Sequence, residues 1–134
     1  PHESTRTFWH QDRRYWNFEN NDLVSVWLSL GDEFLENGLL EFIPKSHKIT
    51  FEKEQFDEVD NFLDSHPKNI ELIKTKVHSN LQKGDVVLFH CKTLHHASKN
   101  NTDKAKISFV YTVRANSNKP TSNTRSDFKE VILD

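Results

Sequence analysis

The sequence predicts a mainly β fold, an antiparallel jelly roll with one inserted surface helix. Three observations lead there: short segments with apolar residues at every second position, turn-forming residues between them at close intervals, and a single stretch with helical apolar spacing. The chain has 134 residues, 34% of them hydrophobic, with 10 Phe and 3 Trp. That supports one folded domain whose core rests on large aromatic surfaces.

Taken in order, residues 7–12 are short and aromatic-rich and read as a strand. Residues 23–30 follow as a second strand, with Val24, Val26, Leu28 and Leu30 on one face and Ser25, Trp27 and Ser29 on the other. The second face, small and aromatic, suits the wall of a pocket better than a dry core. Residues 39–43 form a further strand, stopped by the Pro44-Lys45-Ser46 turn. Across residues 51–63, Phe56, Val59, Phe62 and Leu63 fall at helical spacing among acids and lysines, which places the surface helix there. Four short strands come next: 70–77 after Pro67, 86–89 after the Gly84-Asp85 turn, then 93–98 and 106–113. On the last, Ile107, Phe109, Tyr111 and Val113 make one apolar face, while Val110 and Thr112 continue the Lys106 side. Both faces are therefore expected to be at least partly covered. Residues 116–127 turn to Asn, Ser, Thr, Lys and Pro and read as a mobile polar tail.

Composition narrows the function classes. A formal net charge of -2, with Lys and Arg spread along the chain, gives no electrostatic footprint for nucleic acid or an anionic membrane. No apolar run approaches the roughly 20 residues of a membrane helix. The single Cys91 leaves no internal disulfide, and with no basic, apolar leader in view a cytoplasmic location is expected. The chain has no Met and opens on Pro1 a few residues before its first motif, so a partial chain is expected.

Residues two apart on a strand project to one side, so His10 and Asp12 can share a metal ion. Such pairs are common by chance, and the strand around Leu94-His95-His96 is the source of a third ligand. Two imidazoles and one carboxylate, with coordination positions left open, are the ligand set of non-haem Fe(II) oxygenases. Lys106 and Ser108, again two apart, put an ammonium and a hydroxyl on one face beyond the turn at 100–103. That is an anion clamp of the kind expected for the distal carboxylate of 2-oxoglutarate. An isolated lysine on an edge strand is more often simply solvated; the covered faces expected here favour the clamp. Cys91 reads as a small buried residue, His90 as structural, and His2, His66 and His78 have no constellation around them.

The ordered blocks His10-Gln11-Asp12, Tyr15-Trp16, Leu23-Val24-Ser25-Val26-Trp27-Leu28, Asn37-Gly38, Phe42-Ile43-Pro44-Lys45-Ser46-His47, Gly84-Asp85, Phe89-His90, Leu94-His95 and Asn100 together resemble the phytanoyl-CoA dioxygenase family, from about residue 10 to residue 114. The resemblance implies a cupin-like double-stranded β-helix, Fe(II), 2-oxoglutarate as cosubstrate and O2. It implies that His10, Asp12 and His95 ligate the iron and that Gln11, Trp27, Lys106 and Ser108 line the 2-oxoglutarate site. Counted from His95, Asn100 and Lys106 fall where the family places its Asn and its cosubstrate cation; counted from His96, both slip by one. His96 then faces the other layer, as a packing or surface residue. Tyr15, Trp16 and His47 are expected to border the substrate pocket. Residues 1–115 would be the oxygenase core, the C-terminal portion of the family domain, and residues 116–134 the tail.

The departures are specific. Lys106 stands where most members carry Arg, and an ammonium holds a carboxylate as a point charge, not a bidentate fork. Ala97 replaces a usual small polar residue, Lys45 replaces a turn Gly, and the family's N-terminal region has no counterpart. The expected activity is hydroxylation of a small organic substrate with release of succinate and CO2. Two other readings use the same three ligands: a non-catalytic or Zn-binding cupin-like barrel, and a Zn-dependent isomerase or hydrolase that needs no clamp. The primary substrate and the oligomeric state have no signal in the sequence.

Overall fold

The computed structural model describes residues 7–128 and 131–133. In chain order the strands are β1 (Leu23–Ser29), β2 (Leu40–Phe42), β3 (Val77–Ser79), β4 (Val86–His90), β5 (His95–Ala97) and β6 (Ser108–Arg114), with helix α1 (Pro67–Ile73) between β2 and β3. They form two antiparallel sheets of three strands, one with β1 at its centre between β4 and β6, the other with β2 between β3 and β5. β1 is rich in Val, Leu and Trp, residues that fit a pleated, half-buried surface. Its register sets Ser25 opposite Phe89 and Thr112, and Ser29 opposite Ser108. In the second sheet Phe42 stands opposite Val77 and His95, and Glu41 opposite His78 and His96. The sheets meet where the Phe89 ring lies 5.1 Å from Phe42 and 4.6 Å from His95.

A core cluster of Trp9, Ile43, Phe62 and Leu94, with Phe51, Phe56, Leu72 and Ile73 packed on it, anchors the chain entering the site. Truncating Phe62 to Ala would cost about 3–5 kcal/mol. Residues 7–10 run beside β5, where the His10 and His95 backbones exchange hydrogen bonds of 3.0 and 3.1 Å. The expected strand at 7–12 is thus a bridge at His10, followed by a 3-10 turn over Asp12–Tyr15. Alternation sends neighbours to opposite sides: Trp9 packs on His96 at 4.2 Å, and His10 on His95 at 4.4 Å.

Four expectations need correction. Residues 51–63 hold a short 3-10 turn, Lys53–Gln55, and not the surface helix. The reason is local: Asp57 accepts hydrogen bonds from the Val59 and Asn61 backbone amides at 3.0 and 2.8 Å, turning the chain where a helix would continue. The helix lies instead at Pro67–Ile73, where a strand was expected. Pro67 occupies its first turn, and the buried Asn69 amide donates to the Gln55 and Leu63 carbonyls. Residues 116–127 are not a mobile tail: Asn118 and Ser126 are buried, and they accept from the Asn20 and Asn17 amides at 3.1 and 2.8 Å. The outer face of β6 is not covered either, since Phe109 and Tyr111 are exposed, as are Val86 and Leu88 of β4 on the far side of β1.

Candidate metal centre and anion clamp

β1 carries the site along its inner face. Ser25 and Ser29 are fully buried and Trp27 is partly so. Each of these three side chains ends on a carboxylate: Ser25 on Asp12, Trp27 and Ser29 on Glu33.

At the Ser25 end, His10, Asp12 and His95 bring one ligand atom each to within 4.8 Å of one another. Nδ1 of His10 lies 2.7 Å from the Phe8 carbonyl, and Nδ1 of His95 lies 3.0 Å from the Thr93 carbonyl. A carbonyl only accepts, so each Nδ1 carries the proton and each Nε2 presents its lone pair. Those Nε2 atoms stand 3.5 and 3.4 Å from Asp12 Oδ1. Three acceptors turned on one another repel unless a cation or an added proton lies between them, and this is the donor set a divalent metal takes. The Ser25 hydroxyl donates to Asp12 Oδ2 at 2.5 Å and leaves Oδ1 toward the imidazoles. Burial opposes ionisation of Asp12, but hydrogen bonds from His10 and His95, when those rings carry a second proton on Nε2, and from Ser25 outweigh it and hold the carboxyl far below the usual carboxylate range.

At the Ser29 end, Lys106 and Ser108 do converge on one anion. That anion is Glu33, a residue without a role in the sequence reading. Its carboxylate accepts from Ser108 Oγ at 2.7 Å, Trp27 Nε1 at 2.9 Å and Ser29 Oγ at 3.0 Å, with Lys106 Nζ at 3.2 Å. Lys106 also donates to the Gly38 carbonyl and lies 5.2 Å over the Trp27 ring. Burial works against charge on Glu33, yet the bonds from Ser108 and Trp27, the Lys106 ammonium and Ser29 outweigh it and hold the carboxyl below its ordinary value. A Cβ at position 38 would come within 2.6 Å of the Ser98 carbonyl, and φ there is +92°, so only Gly lets this carbonyl reach Lys106. The donor set suits a carboxylate, because it already holds one. An acid four residues past the end of β1, at Gly31-Asp32-Glu33, is a signal that reads as an ordinary turn.

Other expected site residues are placed differently. Gln11 is buried, but its amide donates to the Lys92 carbonyl at 2.5 Å and its oxygen accepts from Arg13 Nε at 2.8 Å, away from the Lys106 clamp. Tyr15 meets His10 edge-on at 5.9 Å and lines a surface cleft with Arg14, Asn61 and Arg125. Trp16 packs near Phe18 at 6.3 Å, and His47 stacks on His90 at 5.5 Å. His78, given no partner in the sequence reading, pairs with Glu41 at 3.0 Å. His96 turns to the other side as expected, onto the same Glu41. Cys91 is fully buried, and burial pushes its thiol up to about 11. Among the described residues no helix is long and apolar enough to cross a membrane.

Comparison with known proteins identifies a family, sequence relatives and solved structures of similar fold. The family model described as Phytanoyl-CoA dioxygenase (PhyH) matches residues 1–108. Phytanoyl-CoA dioxygenase 1 of Oryza sativa subsp. japonica is 32% identical over 92 residues, covering 68% of this chain and 32% of that protein. The peroxisomal phytanoyl-CoA dioxygenase of Homo sapiens is 30% identical over 97 residues, covering 69% and 29%. The chain therefore spans about a third of the length of these curated relatives. Among solved structures, the epimerase SnoN in complex with Fe3+, alpha ketoglutarate and nogalamycin RO superposes with a TM-score of 0.65 at 27% identity, covering 81% of this chain and 41% of that one. The chain shares the cupin-like jelly-roll fold, mainly β with one helix.

Proposed function

The chain belongs to the phytanoyl-CoA dioxygenase family, and on that premise we propose that it is an Fe(II)- and 2-oxoglutarate-dependent oxygenase that uses O2 to hydroxylate a small organic substrate, with release of succinate and CO2. The observation that carries this reading is the convergence of two imidazole lone pairs and one carboxylate oxygen, with no Lys or Arg among the described residues between them. His10, Asp12 and His95 would hold the iron. Thr93 and Phe8 carbonyls fix the imidazole tautomers, and Ser25 fixes the carboxylate. Lys106, Ser108 and Trp27 would hold the distal carboxylate of the cosubstrate as donors. Bound Fe(II), with 2-oxoglutarate and O2, supplies the oxidising power for attack on a C–H bond. The Phe42 and Phe89 rings flank His95 and keep bulk water from that side of the ligand set. We assign the substrate border to Tyr15, Trp16 and His47, the catalytic core to residues 1–115, and the location to the cytoplasm. We also assign Gln11 to the cosubstrate side; its oxygen accepts from Arg13 Nε at 2.8 Å.

Anaerobic addition of Fe(II) and then 2-oxoglutarate tests the reading: a visible metal-to-ligand charge-transfer band is expected, and its absence with intact, folded protein contradicts it. A second reading, a metal-binding barrel with no use for 2-oxoglutarate, is favoured by one observation, that Glu33 already neutralises Lys106. It predicts metal binding without the band.

A further inference from the structure

The clamp formed by Lys106, Ser108 and Trp27 is the one place among the described residues where a buried ammonium, a hydroxyl and an indole N–H meet, and Glu33 fills it. Its side chain is fully buried and that of Lys106 is 14% exposed. The backbone of Glu33 is pinned, since Glu33 and Leu81 exchange hydrogen bonds of 2.8 and 3.0 Å. The carboxylate therefore enters the clamp from a fixed base, and only side-chain rotation withdraws it. Withdrawal leaves Ser108 and Trp27 without their acceptor and Lys106 with the Gly38 carbonyl alone, which is unfavourable in a buried site unless another anion takes its place. A second carboxylate of matching charge restores every bond that Glu33 gives up.

From this geometry we infer that Glu33 is an internal competitor of the cosubstrate: its carboxylate occupies the subsite for the distal carboxylate of 2-oxoglutarate, and the cosubstrate binds by exchanging for it. This rests on the proposed 2-oxoglutarate reading. The exchange breaks no covalent bond and moves one anion out to water as another comes in. Apparent affinity is reduced by the fraction of time the clamp is clear. Glu33 thus sets the cosubstrate concentration at which the site fills, and it also keeps the buried Lys106 paired when the cosubstrate is absent.

The experiment titrates two probes into wild type, Glu33→Ala and Glu33→Gln, with folding checked by circular dichroism. The first probe is 2-oxoglutarate added to anaerobic Fe(II)-loaded protein, read by the charge-transfer band and by calorimetry. The second is glutarate, a dicarboxylate with no keto group, added to metal-free protein and read by calorimetry and Trp fluorescence. Glu33→Ala is expected to bind both probes about 10-fold or more tighter than wild type, and Glu33→Gln, which keeps an acceptor but loses the charge, to fall between. Equal or weaker binding in the variants overturns the inference while a wild-type band leaves the oxygenase reading standing. No band in any protein, with glutarate still bound tighter by Glu33→Ala, sinks the oxygenase reading and keeps the competition for the clamp. Should Glu33→Ala not fold, the comparison of Glu33→Gln with wild type decides by the same criterion.

Discussion

His95 and His96 are neighbours on β5, yet they join two clusters that differ in one respect. Each cluster sets two imidazoles around a buried carboxylate: His10 and His95 around Asp12, His78 and His96 around Glu41. In the second cluster Lys76 Nζ sits 2.9 Å from Glu41 Oε2, and the two histidines reach different oxygens of the carboxylate. The charge of Glu41 is met by the chain itself. In the first cluster both imidazoles face the same oxygen of Asp12, and among the described residues no Lys or Arg pairs with it. A carboxylate with its own ammonium is a structural tie between strands; one oxygen faced by two imidazole lone pairs is part of a ligand set for a cation. Residue types alone do not separate the two, because both read as two His and one acid.

The largest expected effect separates them by function. Asp12→Ala should weaken Fe(II) binding by more than about 100-fold and abolish succinate production, read by calorimetry and product assay. Glu41→Gln should leave Fe(II) affinity unchanged and lower stability instead. Its partners Lys76 and His78 are largely reached by solvent, so the expected loss is about 1–3 kcal/mol, several degrees in Tm. A Glu41 variant that loses metal while keeping its Tm would reverse the comparison.

The pH dependence sharpens the same contrast. Burial opposes charge on Glu41, but the hydrogen bonds and charges of Lys76 and His96 outweigh it and hold its pKa below its ordinary 4.5. A depressed acid stabilises the fold above its unfolded pKa, and that contribution is lost as pH falls through the folded value. Tm of wild type should therefore drop as pH falls below about 4.5, and the drop should be smaller in Glu41→Gln. Equal slopes in the two proteins would remove Glu41 from the account.

Two smaller effects follow. Ser25→Ala removes the hydroxyl that orients Asp12 and should weaken metal binding by about 10-fold, with little change in Tm. Lys45 sits at φ 61°, in the left-handed region, so Lys45→Gly relieves strain and should raise stability by up to about 1 kcal/mol, read by thermal melting.

Much of the site was legible because it lies on extended chain. The two-residue alternation put Ser25, Trp27 and Ser29 on one face and separated His95 from His96, and the structure has both. Pairing of Lys106 with Ser108 was legible for the same reason. What the sequence did not carry is long-range: Glu33 reaches the clamp through a bridge to Leu81, and His78 meets Glu41 only through the register of β2 with β3. The helix was misplaced because Phe56 and Phe62 have helical spacing but are held as a bridge by the Asp57 turn, while Pro67 marked the true start. The outer face of β6 is apolar as read, but among the described residues it stays open and not covered as expected.

The most direct test of the contrast is the adjacent pair on β5. Fe(II) titrated anaerobically into His95→Ala and His96→Ala, each checked for folding, should give no high-affinity site in the first and one wild-type site in the second. Retention of metal by His95→Ala, or its loss only from His96→Ala, would contradict the assignment of the metal to the Asp12 cluster.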